Sequence, residues 1–113
     1  MKESKLAVLA MDFAVEIIGF CRENKQKNIL INQLLRSGTS IGANIHEANY
    51  AQSKPDFISK LKIALKECYE TEYWLELFKR TDIISNETAS TLNKKCGTIR
   101  RIIISSVNTA EGK

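Results

Sequence analysis

Ser53 to Arg80 reads SKPDFISKLKIALKECYETEYWLELFKR, and its spacing decides the fold. Phe57, Leu61, Ala64, Cys68, Thr71, Leu75 and Phe78 step by 4-3-4-3-4-3, the seam of a helix packed lengthwise in a bundle. Ser53 stands where an N-cap belongs. Pro55 fits a first turn whose N–H groups lack helical partners, and Asp56 complements the positive end of the dipole. A helix over about 55–80 is expected. Tyr69, Tyr73 and Trp74 fall on its flanking faces and suit packing at a helix edge or a subunit contact. Base stacking is the sharper alternative, but a stacking platform interleaves aromatic residues with a basic patch, and this trio is not so interleaved.

Before this stretch, a segment over about 29–52 offers Ile31, Leu34, Leu35, Gly38, Ile41, Ile45 and Ala48 at helical steps. Gly38 and Gly42 each cost about 1 kcal/mol relative to Ala inside a helix. Close approach of a neighbour is the expected reason, with a local break in the helix as the alternative. A second line, Ser37, Ser40, Asn44 and Glu47, repeats the spacing about 120° around the wheel. It fits either a buried or interfacial polar network or a plain solvated face.

The first segment, about 4–24, is apolar over some two-thirds of its circumference; Asp12, Glu16, Gly19 and Glu23 form its one continuous polar strip. A helix in a lone bundle needs only about three-sevenths of its surface apolar. The surplus on Val8, Met11, Val15 and Ile18 therefore calls for a second partner, and self-association supplies one. The last segment, about 86–109, follows the candidate N-cap Ser85 and carries the seam Ala89, Leu92, Cys96, Ile99, Ile103 and Val107. Opposite that seam Lys94 and Arg101 align seven residues apart, with Lys95 and Arg100 on the shoulders. Three short connections make neighbouring segments antiparallel. The fold class expected is all-α: an up-down antiparallel four-helix bundle forming one domain over 1–113.

Composition agrees. Hydrophobic residues make up 43% and charged ones 27%, which is globular rather than disordered. No apolar run approaches the ~20 residues of a membrane span. Met1 to Ser4 lack the apolar stretch of a signal peptide, so a cytoplasmic location is expected. Cys21, Cys68 and Cys96 are odd in number, widely spaced and on apolar stripes, as core thiols would be.

Catalytic patterns are scarce. His46 is the single histidine and sits beside Glu47 with no strand-turn-helix elbow, so it is read as a surface or interface side chain. No Glu-x-x-His pair exists for a di-iron bundle. Glu67-x-x-Glu70 puts two carboxylates one turn apart and could hold Mg²⁺. Metal-dependent phosphate chemistry then needs a second acidic pair, and the last segment offers only Glu87. A non-enzyme without metal or cofactor is expected. Net charge is +4, enough to permit an acidic partner without demanding one. Lys94, Lys95, Arg100 and Arg101, with Arg22, Lys25 and Lys27, form the candidate phosphate-contacting surface.

Gln33 to Ala48 (QLLRSGTSIGANIHEA) and Ser53 to Leu75 together carry Arg36, Ser37, Ser40, Ile41, Asn44 and Glu47 with Ala64, Glu67 and Glu70. This combination resembles the small bacterial four-helix-bundle proteins encoded within intervening sequences of large-subunit (23S) ribosomal RNA genes. The resemblance spans most of the chain and is weakest in the last segment. It implies a bundle assembling into a homopentameric ring. A relative in that group, the accessory protein of diversity-generating retroelements, is a basic pentamer that binds nucleic acid and its reverse transcriptase. The resemblance also implies that Asn44, Glu47, Glu67 and Glu70 serve a structural network rather than a metal site. Five copies of +4 would give a ring charge of +20, so weak single contacts would multiply by avidity. The expected function is an oligomeric scaffold binding RNA or DNA through its basic residues. The alternative is an adaptor docking a reverse transcriptase or nuclease.

Overall fold

Four helices account for most of the chain: α1 (Lys5–Asn24), α2 (Ile31–Asn49), α3 (Lys54–Arg80) and α4 (Asn86–Ala110). The structure is a computed structural model describing residues 4–113; residues 1–3, counted in the expected domain, lie outside the described residues. Three helices start on a serine whose Oγ accepts a backbone N–H: Ser4 from Ala7 at 3.0 Å, Ser53 from Asp56 at 3.2 Å and Ser85 from Thr88 at 3.0 Å. The start of α2 has no such side-chain cap. Asn28 Oδ1 instead accepts the Leu30 N–H at 2.8 Å, an Asx turn that delays the helix to Ile31. At its other end α2 stops at Asn49, short of the expected residue 52, where Ala51 to Ser53 bend into α3.

α3 ends in a Schellman motif. Ile83 N–H reaches back to Phe78 O at 2.9 Å and Asp82 N–H to Lys79 O at 3.2 Å, with Asp82 at φ +60°. An aspartate occupies a position that usually falls to glycine, tolerated because short polar side chains visit the left-handed region.

The helices pack antiparallel in chain order around one core, 42 Å along its longest dimension. α1 meets α2, α2 meets α3 and α3 meets α4; α1 and α4 close the ring more sparsely. Leu61, Ala64, Cys68, Thr71, Leu75 and Phe78 are all buried, and Phe57 is half-buried where the seam frays. Facing them are Ile31, Leu34, Gly38, Ile41, Ile45 and Ala48 from α2, with Leu35 only half-buried. α1 contributes Leu6, Ala10, Phe13, Ile17 and Cys21, and the whole expected seam of α4 is buried. The three cysteines are free and buried. Burial pushes the Cys21 thiol up to about 11, so it stays protonated.

The two α2 glycines differ. A Cβ on Gly38 would lie 2.9 Å from Ile17 Cγ2, whereas one on Gly42 would meet Ala10 at 3.5 Å or more. The helix runs unbroken through both, so close approach is the reason for Gly38. Nearby, the polar line on α2 divides. Ser37 is fully buried and accepts a hydrogen bond from Thr71 Oγ1 at 2.9 Å, a satisfied polar link within the core. Asn44 instead donates to Ser40 O on its own helix at 2.8 Å, and exposed Glu47 pairs with Lys60 at 3.2 Å.

Candidate nucleic-acid interface

Cationic side chains gather where the end of α3 lies beside α4. Lys79, Asn86, Ser90, Asn93, Lys94, Gly97, Arg100 and Arg101 line a shallow depression of about 390 Å³, with no carboxylate in its wall. Its floor is Gly97. The position a Gly97 Cβ would take lies 3.2 Å from Arg101 Nη1 and 3.5 Å from Arg100 Nη2, so both guanidiniums fold back over the glycine. Two positive groups converging over bare backbone make a recess suited to an anion, since each gains from a negative charge placed between them.

The four cations are not equivalent. Arg100 Nε donates to Glu72 at 2.7 Å, which holds its guanidinium charged, and its Cζ lies 5.9 Å from the Tyr69 ring centroid. Lys79 pairs with Glu76 at 3.7 Å. Lys94 and Arg101 have no carboxylate within 4.0 Å among the described residues. Lys95 faces the other way and pairs with Glu16 of α1 at 2.6 Å. Arg22, at the end of α1, and Lys25 and Lys27 in the following turn are exposed and do not line the depression.

Sequence reading passed over Lys79, Asn86, Ser90, Asn93 and Gly97. The steps Asn86-Ser90-Asn93-Gly97-Arg101 do trace one stripe along α4, a signal detectable in the chain. Nothing along the chain signals the pairing of Arg100 with Tyr69, 31 residues apart. The fold interleaves aromatic and basic groups across two helices where the chain order did not.

A second polar group ties α2 to α3. Arg36 donates to Glu67 at 2.9 Å and to Glu70, and Glu70 also accepts from Trp74 Nε1 at 3.0 Å. The bonds from Trp74 and Arg36 together hold the Glu70 carboxyl below its usual range. A guanidinium thus occupies the carboxylate pair that the sequence offered to Mg²⁺. Among the described residues no three His, Cys, Asp or Glu side chains converge. A carboxyl with a lowered folded-state pKa stabilises the fold in full above the ordinary value near 4.5, and this is lost as pH falls through its own value. In an acid titration, Trp74 emission should change below pH 4.5 before helix content falls, and Glu70→Gln should remove that early change.

The surplus apolar face of α1 points outward. Val8, Met11, Val15 and Ile18 are 40%, 63%, 62% and 40% exposed. Met11 and Ile18 continue into a groove of about 420 Å³ between α1 and α2, lined also by Ala7, Ala14, Gly42, Ala43 and His46. His46 lies against the Tyr50 ring, centroids 5.0 Å apart, on the rim of this groove. No helix is long and apolar enough to cross a membrane among the described residues.

Comparison with curated proteins finds no match. Among solved structures, a protein of unknown function from the S23 ribosomal protein family of Bacteroides thetaiotaomicron is 46% identical. It superposes with a TM-score of 0.86 over 90% of this chain and 97% of its own. The family model described as 23S rRNA-intervening sequence protein matches residues 2–105 and so takes in all of α1 to α3 and most of α4. With the four-helix fold, the Arg36–Glu67–Glu70 link and that match together, the chain belongs to the 23S rRNA-intervening sequence protein family.

Proposed function

We propose that this chain is a non-enzymatic scaffold that associates with itself through the apolar face of α1 and binds nucleic acid through α4. The observation that carries the reading is the depression in whose lining Lys94 and Arg101 have no acidic partner among the described residues, with Arg100 folded beside them. Phosphates supply the charge these groups lack. The apolar face lies on α1 and the groove it shares with α2, while the depression lies between α3 and α4, so assembly leaves the binding face open. A homopentameric ring, the assembly that the family resemblance implies, would repeat the depression around an axis and turn modest single-site affinity into avidity.

Binding of labelled structured RNA and DNA tests this. Affinity should fall steeply with salt, and Lys94→Ala and Arg101→Ala should each lower the slope of log K against log salt by about one. Absence of any shift at low salt rejects the reading.

A second reading, an adaptor that docks a protein such as a reverse transcriptase or nuclease, draws on the α1–α2 groove, whose lining is mostly apolar. It requires a co-purifying protein whose retention survives nuclease treatment and high salt.

A further inference from the structure

Resting on the nucleic-acid reading above, we infer that the α3–α4 face selects single strands over duplexes: phosphate sits over Gly97, and unpaired bases stack on Tyr69 and Tyr73. Tyr69 and Tyr73 are 53% and 60% exposed and stand one turn apart on α3. Two neighbouring aromatic rings more than half exposed are unusual on a helix whose opposite side fills a core. Arg100 joins them to the depression, since its guanidinium lies both over the Tyr69 ring and beside the Gly97 floor. A ligand that seats a phosphate between Arg100 and Arg101 therefore brings its attached base alongside Tyr69.

The platform is also held in place. The Tyr73 ring packs edge-on against Trp74 with centroids 5.2 Å apart, and Trp74 is fixed by its hydrogen bond to Glu70, itself bonded to Arg36. Trp74 further stacks on buried Phe78 at 6.1 Å. A stacking surface whose rings are already ordered loses little freedom when a base lands on it. In a duplex the base faces are covered by their neighbours, so the tyrosines would be idle and the charges alone would act. Base faces are present on every nucleotide, which makes the surface tolerant of sequence.

Oligouridylate and oligothymidylate of about 16 nucleotides, and duplexes of equal length, serve as fluorescein-labelled probes for anisotropy. The parent chain should bind the single strands more tightly than the duplexes. Tyr69→Ala and Tyr73→Ala should each weaken single-strand binding about tenfold through lost base stacking, and weaken duplex binding far less. Tyr69→Phe and Tyr73→Phe should keep the parent affinity. Trp74 emission should change when a single strand binds, and Tyr73→Ala should abolish that change. Alanine variants that bind single strands as well as the parent, or that weaken both probes equally, overturn the inference. So does a fall in particle mass by light scattering, which would make the tyrosines a subunit contact. If Lys94→Ala and Arg101→Ala weaken binding while the tyrosine variants do not, charge-driven binding stands and stacking falls. If the parent binds neither probe at low salt, the nucleic-acid reading itself falls.

Discussion

The double variant Met11→Glu, Val15→Lys is expected to leave a folded monomer where the parent chain assembles. Both side chains are more than 60% exposed, so neither replacement removes a core contact. The pair keeps the net charge at +4 and places Glu four residues before Lys, an order that supports an isolated helix by about 0.2–0.5 kcal/mol. Fully burying a Met or Val side chain is worth about 1.5–3 kcal/mol, and some 60% of that surface is available to a partner. Losing both contacts removes roughly 2–4 kcal/mol from each interface, a factor of about 30 to 1,000 in affinity. Desolvating two charges adds to the loss. Light scattering at micromolar concentration should read an oligomer for the parent and a single subunit for the variant, with circular dichroism unchanged. A parent that is already monomeric removes the self-associating scaffold from the proposal.

That variant is also the background in which the second large effect is best measured, because the unfolding of an oligomer depends on its concentration. There Gly38→Ala should lower stability by about 1 kcal/mol. The added methyl would stand 2.9 Å from Ile17 Cγ2, and Ile17 is fully buried with nowhere to retreat. Overpacking costs about 1–3 kcal/mol, offset by about 1 kcal/mol of gained helix propensity. Ile17→Ala alone should cost about 2–5 kcal/mol by opening a cavity. Combined, the two should cost at least 1 kcal/mol less than their sum, since the new methyl then enters the space Ile17 leaves. Gly42→Ala is the contrast. Its methyl meets Ala10 at ordinary contact distance, so stability should hold or rise by up to about 1 kcal/mol. Urea midpoints of the four variants decide the matter, and strict additivity would contradict the packing described at Gly38.

Much of the bundle could be read from spacing because burial in a helix follows a period. The seams on α3 and α4, the caps at Ser53 and Ser85, and the outward position of Val8, Met11, Val15 and Ile18 all follow from single-helix geometry. Spacing also marked Ser37, Ser40, Asn44 and Glu47 as one line, but could not say where along it the core ends. That depends on how the α2–α3 pair is offset, which buries Ser37 against Thr71 and leaves Glu47 to Lys60. The candidate site was harder still. Lys94, Lys95, Arg100 and Arg101 were visible as a basic face, yet which of them are paired depends on carboxylates from other helices, Glu16 for Lys95 and Glu72 for Arg100. The α3–α4 register, set by the Schellman turn at Asp82, brings Lys79 to the depression and Tyr69 under Arg100. One helix read alone carries no information about either.

The sparse closure between α1 and α4 also bears on the order of events in time. Almost every contact in the subunit joins helices adjacent in the chain, so few long loops must close before native interactions accumulate. Chains of this kind fold within microseconds to milliseconds. Meeting another copy is a second-order step whose rate scales with concentration. Under the proposed self-association, a newly made copy would complete its own helical packing first and carry a finished apolar surface into each collision, so subunit encounter, rather than chain folding, would set the pace of assembly.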